Sequence, residues 1–105
     1  SRASYHDKLG LAEKYVWETF GYDKALFLNS GAEANETAIK LARKWGYTKK
    51  NIPENEAVIV AARKNFHGRT TTIISASTDP SSRKGFGPFM PGFEIVDYDD
   101  AAALE

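Results

Sequence analysis

At 105 residues the chain is long enough for one ordinary domain with its own core. Fourteen basic side chains balance fourteen acidic ones, so net charge points to neither nucleic acid nor an anionic membrane, and the absence of cysteine excludes disulfides and thiolate metal sites. The longest apolar run, residues 57–62, is far too short to span a bilayer.

The first predicted helix covers residues 11–20. Ala12, Tyr15, Val16, Thr19 and Phe20 recur on one face, and Gly21 is placed to stop it. The apolar residues 25–28 then read as a short buried strand that feeds a second helix through Asn29-Ser30-Gly31-Ala32. Ser30 is a good N-cap, and Glu33 three residues on completes a capping box. Ala34, Ala38, Leu41, Ala42 and Trp45 repeat at helical spacing and are predicted to face the core. Glu36 and Lys40 stand one turn apart in the favourable order, and Gly46 is placed to end the helix.

A polar linker containing Pro53 leads to residues 57–62, whose unbroken apolar run suits a strand buried on both faces of a parallel sheet. Asn65-Phe66-His67-Gly68-Arg69 is a turn. Residues 70–77 carry β-branched side chains, but their place in the order favours a crossover helix. Residues 79–92 are rich in Pro, Gly and Ser. With Phe86, Phe89 and Met90 needing somewhere to pack, they are expected to form an ordered surface loop. Residues 93–96 form a third strand, and residues 99–105 open a further helix with acids near its start. A chain that starts without Met and stops one turn into a helix is expected to be a piece of a longer one. The order of elements predicts an α/β fold with a parallel sheet, right-handed crossovers and flanking helices, undivided over residues 1–105.

Two turns could carry chemistry. At Ser30-Gly31-Ala32 a hydroxyl and free backbone N–H groups meet the positive end of a helix dipole, which is an anion site of the kind phosphate occupies. The residues alone favour a plain capped turn, since capping boxes are common in helices that bind nothing. Neither G-x-G-x-x-G nor the P-loop pattern is present. The turn at residues 65–69 follows a buried strand, where open α/β sheets place ligands. Phe66 could stack on a planar ring, and Arg69 could clamp a carboxylate with two parallel hydrogen bonds. A core Phe and a solvated Arg are the plainer reading of each residue alone. Two such turns on neighbouring strands make a joint site more plausible. His67 has no partner in a recognisable motif and reads as a ring-packing residue. His6 has less support, and no metal-ligand spacing is present.

Taken together, Leu28-Asn29-Ser30-Gly31-Ala32-Glu33-Ala34, Glu36-Thr37-Ala38-x-Lys40-Leu41-Ala42-Arg43 and Asn65-Phe66-His67-Gly68-Arg69-Thr70 resemble the class III, pyridoxal-phosphate-dependent aminotransferases. Arg43-Lys44-Trp45-Gly46-Tyr47, Ser75-x-Ser77-Thr78-Asp79-Pro80 and Phe86-Gly87-Pro88-Phe89-x-Pro91-Gly92-Phe93 point to the branch of that family that takes ornithine as amino donor. The resemblance covers essentially the whole chain. Arg2-Ala3-Ser4-Tyr5 departs from the aromatic residue more usual after Arg-Ala, which puts only local packing in doubt.

The resemblance implies the N-terminal part of a fold-type I large domain that binds pyridoxal 5'-phosphate. Gly31 and Ala32 are then the phosphate's backbone donors, with Ser30 beside them. Phe66 stacks on the pyridine ring, His67 shapes the same wall, and Arg69 binds the α-carboxylate of ornithine. The parent is implied to move the δ-amino group of L-ornithine to 2-oxoglutarate as a homodimer. Its partners are a small amino acid and a 2-oxo acid, with no nucleic acid and no membrane. Its compartment is the cytoplasm, or alternatively the mitochondrial matrix. The lysine that bonds to the cofactor and the aspartate that pairs with the pyridine nitrogen lie downstream in this family. None of the lysines here stands in the first one's setting, so no catalytic residue is expected in this chain, and the 105 residues alone are expected to be inert. Two alternatives stand beside this reading: a relative acting on acetylornithine or 4-aminobutyrate, and a small α/β module that binds a phosphorylated ligand without covalent chemistry.

Overall fold

The computed structural model describes residues 7–105; His6 and the Arg2-Ala3-Ser4-Tyr5 departure lie outside them. The elements in order are α1 (Asp7–Phe20), α2 (Gly31–Lys49), β1 (Ile59–Ala62), α3 (Thr71–Ile74), α4 (Pro80–Arg83), β2 (Phe93–Val96) and α5 (Ala101–Leu104). α1 carries an exposed Lys14–Glu18 pair one turn apart at 3.8 Å. It stops at Gly21, whose φ is +76° and whose N–H returns to the Trp17 carbonyl.

β1 and β2 pair in parallel, with Ile59 opposite Phe93 and Ala62 opposite Val96. The ladder is extended by Ile59 N–H to Gly92 O at 2.8 Å and Arg63 N–H to Val96 O at 2.7 Å. The connection between the two strands carries α3, α4 and a loop with a cis Gly87–Pro88 bond. Residues 70–77 thus open as a helix, as their place in the order suggests: Thr70 caps α3 by accepting from Ile73 N–H. The core sits where α3 packs on α2 beside the sheet. Ile73, only 2 % exposed, is buried with Ile74, Ala57, Ala61 and Ala76.

The structure corrects several of these expectations. Residues 25–28 form no strand, and Leu26 is 74 % exposed. A strand needs a hydrogen-bonded neighbour, and among the described residues only β1 and β2 find one. For the same reason β1 is covered on one face only: Ala61 is buried while Val58 and Val60 are exposed. On α2 the buried face is not the one that apolar periodicity picks out. Ala34, Ala38, Leu41, Ala42 and Trp45 are all exposed, whereas Asn35, Glu36, Ile39, Arg43, Gly46 and Tyr47 turn toward the rest of the molecule. That face is polar because its side chains carry tertiary hydrogen bonds. Arg43 reaches Pro91 O at 3.4 Å and lies over the Phe93 ring, and the Tyr47 hydroxyl accepts from Ala57 N–H at 3.1 Å. Gly46 does not end the helix. It lies inside α2, and a β-carbon there would stand 3.0 Å from Ile52 Cδ1, so the missing side chain lets the chain fold back against its own last turn. Residues 79–92 contain the short α4, and Phe86 and Met90 stay exposed there while Phe89 is half-buried.

The protein exposes 8691 Å², whereas a self-contained domain of its mass exposes roughly 5,800 Å². Large apolar side chains are exposed on α1 (Leu11, Tyr15, Trp17, Phe20), on α2 (Leu41, Trp45) and on the uncovered face at β1 (Val58, Val60).

Candidate functional site

The two turns singled out from the sequence are brought together. At the first, Ser30 is extended (φ −150°, ψ 163°), and its Oγ accepts from Glu33 N–H at 3.2 Å while donating to the Glu33 carboxylate at 3.1 Å. The Gly31 and Ala32 N–H groups, at the start of a 19-residue helix, have no acceptor among the described residues. They point the positive end of the dipole at open space. A β-carbon at Gly31 would meet nothing within 4 Å.

The second turn is shaped just beyond β1. Lys64 takes a left-handed conformation (φ 64°), and its N–H is held by Thr78 Oγ1 at 2.8 Å. The Asn65 amide donates to Ala62 O and Ala76 O at 2.7 and 2.8 Å, which fixes where the chain leaves the strand. Gly68 then lies against the first turn of α2: with φ +135°, a β-carbon on it would fall 2.8 Å from Ala32 Cβ and 3.1 Å from Ile73 Cδ1. Two further bonds clamp the turns. The Asn35 amide donates to both Gly31 O and His67 O at 3.0 Å, and Thr70 Oγ1 donates to the Glu36 carboxylate at 3.1 Å.

Between them lies an open pocket of about 420 Å³, lined by Gly31 and Ala32 from one turn, Phe66, His67, Gly68 and Arg69 from the other, and Asn35. All the site residues read from the sequence line it except Ser30, which caps the helix behind it. Phe66 is 72 % exposed, and the Arg69 guanidinium stands 6.0 Å from its ring centre. Asn35, which ties the two turns, is not among the residues singled out from the sequence. The available signal is its type: Asn is a poor helix former, and four residues into a helix its side chain is free to bond backbone carbonyls. A neighbouring cavity of about 460 Å³ shares Phe66 and Arg69 and is closed by Asp79, Ser81, Ser82 and Phe86, among others. Asp79 caps α4 there. Its hydrogen bonds from the Ser81 hydroxyl and N–H hold its carboxyl below the ordinary value of 3.8, with Ser82 adding to the shift.

The arrangement offers anion-binding N–H groups, an exposed aromatic face and a guanidinium around one space. Residues 1–105 match the model of the class-III aminotransferases along their whole length. The chain belongs to that family. This class-III aminotransferase chain is 61 % identical over 105 residues to the mitochondrial ornithine aminotransferase of Drosophila melanogaster, covering all of this chain and 24 % of the relative. It is 56 % identical over 105 residues to that of Rattus norvegicus, again with full coverage of this chain and 24 % of the relative. Among solved structures it superimposes on an ornithine aminotransferase of Toxoplasma gondii with a TM-score of 0.91 at 48 % identity, over 98 % of this chain and 24 % of that one. That crystal, grown in the presence of oxidised glutathione, has partial occupancy of PLP at its active site. An acetylornithine aminotransferase of Elizabethkingia anophelis is matched with a TM-score of 0.69 at 55 % identity, over 99 % of this chain and 24 % of that one. The chain thus spans about a quarter of the length of the relatives it matches.

Proposed function

We propose that this chain is part of the large, cofactor-binding domain of an ornithine aminotransferase. The proposed parent transfers the δ-amino group of L-ornithine to 2-oxoglutarate, giving glutamate-5-semialdehyde and glutamate, a step linking arginine catabolism to proline biosynthesis. The observation that carries this is the single pocket lined by Gly31, Ala32, Phe66, His67 and Arg69.

The residues present fit pyridoxal 5'-phosphate. Among the described residues the Gly31 and Ala32 N–H groups are donors without acceptors at the positive end of α2, and Gly31 leaves the approach open, which suits a phosphate. Ser30 supports them by holding the first turn of the helix, and the exposed Phe66 ring suits a planar heterocycle. When bound, the cofactor supplies an electron sink for the carbon that carries the migrating amino group. This chain's part is to grip and orient. Gly31 and Ala32 would hold the phosphate, Phe66 and His67 would line the face of the ring, and Arg69 would hold the carboxylate of the donor with a planar fork that Lys cannot reproduce. The lysine and aspartate that complete the chemistry are assigned to the rest of the parent.

The proposed parent is a homodimer that binds small amino and 2-oxo acids. Its proposed compartment is the cytoplasm or the mitochondrial matrix, the second supported by the mitochondrial relatives from fly and rat. Similarity to an acetylornithine aminotransferase makes that donor the competing reading. The test is a donor panel on the full-length protein loaded with pyridoxal 5'-phosphate. Glutamate-5-semialdehyde formed from L-ornithine supports the proposal. A protein that ignores ornithine and turns over acetylornithine or 4-aminobutyrate overturns it.

A further inference from the structure

The segment between Arg69 and β2 converges on one side chain. Arg83 stands at the C-terminal end of α4, and its Nη1 donates to the carbonyls of Ile74, Ser75 and Ser77 at 3.0, 3.1 and 3.2 Å. These carbonyls cluster where α3 ends, a place where helices leave acceptors unsatisfied. The same guanidinium lies 3.8 Å from the centre of the Phe89 ring. Ser75 adds a second tie to the loop, accepting from Met90 N–H at 2.8 Å. One half-buried cation therefore fastens α3, α4 and the loop before β2 to each other.

What it fastens borders the site. α3 starts directly after Arg69-Thr70, and its near end is held to α2 by the bond from Thr70 to Glu36. Its far end is held by Arg83. The cavity of about 460 Å³ has Phe66 and Arg69 among its lining residues together with Ser81, Ser82 and Phe86, which stand on or just beyond α4. The spacing between Arg69 and α4 is thus set by the contact that Arg83 makes.

We propose that Arg83 is a positioning residue for amino-donor recognition: by pinning α4 to the end of α3 it fixes the gap between Arg69 and the wall formed by Ser81, Ser82 and Phe86. The inference rests on the reading of Arg69 as the donor's carboxylate clamp. Arg83 does not touch the donor, because its guanidinium is engaged with three carbonyls and an aromatic ring. Its planarity matters for both: a lysine keeps the charge and some of the carbonyl bonds but cannot stack on Phe89.

The experiment uses the full-length protein with bound pyridoxal 5'-phosphate and reads cofactor absorbance, kcat and KM for its preferred donor. Arg83→Met is expected to raise that KM about tenfold, as a slightly misplaced clamp does. Its kcat stays within about twofold and its cofactor occupancy does not change. Arg83→Lys is expected to fall between it and the wild type. Arg63→Gln, which removes the same charge from an exposed pair with Asp97 at 2.7 Å, is expected to match the wild type. An unchanged KM in Arg83→Met overturns the inference, as does a loss of kcat and occupancy with KM unmoved. If Arg83→Met does not fold, Phe89→Leu removes only the stacking, and a KM that it leaves unchanged overturns the inference equally. A wild-type protein whose KM is no lower for a donor with an α-carboxylate than for the same donor without it overturns the reading of Arg69 itself, whereas a wild type that shows that preference with indifferent Arg83 variants overturns this inference alone.

Discussion

Gly68 packs against Ala32 so closely that a β-carbon on it would lie 2.8 Å from Ala32 Cβ. The contact joins the phosphate-type turn to the Phe66–Arg69 turn, and it leaves no room for relief because Ile73 Cδ1 closes the other side at 3.1 Å. The backbone there, at φ +135°, is also one that L side chains avoid. Gly68→Ala is therefore expected to destabilise the full-length protein by about 1–3 kcal/mol through overpacking, with the strained φ adding to it. Denaturant unfolding measures the first effect. Cofactor content after dialysis measures the second, since spreading the two turns separates Phe66 from the Gly31 and Ala32 N–H groups. A variant as stable as the wild type and fully loaded would contradict the assignment of Gly68 to this contact.

Asn35 holds the same two turns by hydrogen bonding rather than by shape. Its amide nitrogen faces two carbonyl oxygens, those of Gly31 and His67, each at 3.0 Å. Asn35→Ala removes both bonds and is expected to cost about 1–3 kcal/mol. Asn35→Asp is expected to be worse, although it is nearly isosteric, because it sets a carboxylate against two acceptors in place of a donor. The ranking Ala above Asp in thermal midpoint is the discriminating result. If Asp is tolerated as well as Ala, the amide orientation given to Asn35 is wrong.

The pattern of success along the chain follows the range of the forces involved. The Ser30 cap and its bond from Glu33 N–H are local, and residues 93–96 carry a local strand pattern, so both are legible in the sequence and present in the structure. Residues 25–28 have as good a strand pattern, yet pairing depends on a neighbour that the described residues do not supply. α2 misleads for another reason. A helix whose inward face carries Asn35, Glu36, Arg43 and Tyr47 uses polar groups as tertiary ties, and apolar periodicity then marks the face left open. With relatives about four times as long, that open face, with Leu41 and Trp45 on it, is where further protein is expected to pack. At the candidate site the pocket-lining residue types were readable from the turns, whereas the His67 carbonyl that Asn35 ties and the carbonyls that Arg83 ties are brought near only by folding.

Asp79 gives the cavity wall a pH dependence whose sign is fixed by its hydrogen bonds. The Ser81 hydroxyl and N–H, followed by Ser82, favour the ionised carboxylate and lower its pKa below 3.8. A carboxyl with a depressed folded value stabilises the fold fully above its unfolded value and loses that contribution as the pH falls through the folded one. Asn at this position still caps a helix but cannot titrate. The thermal midpoints of the wild type and Asp79→Asn are therefore expected to differ most near neutral pH and to converge as the pH drops below 3.8. A gap that stays constant through that range would show that the charge on Asp79 contributes nothing to α4.

Arg69 is the residue on which the proposed donor specificity turns. It lines both cavities, and its guanidinium is 6.0 Å from the Phe66 ring with no carboxylate partner among the described residues. A planar fork in that position can take a carboxylate through two parallel bonds, each strengthened by charge. Arg69→Lys keeps the charge but only a single point of contact, so the KM for ornithine in the full-length protein is expected to rise by about 10–100-fold, with kcat/KM falling in proportion. The same substitution is expected to leave cofactor content unchanged, because the phosphate and ring contacts are proposed for Gly31, Ala32 and Phe66. Decarboxylated donors provide the internal control: putrescine, which is ornithine without its carboxylate, has nothing for Arg69 to hold and is expected to react equally poorly with both proteins. A loss on putrescine as large as the loss on ornithine would move Arg69 from binding the carboxylate to shaping the pocket.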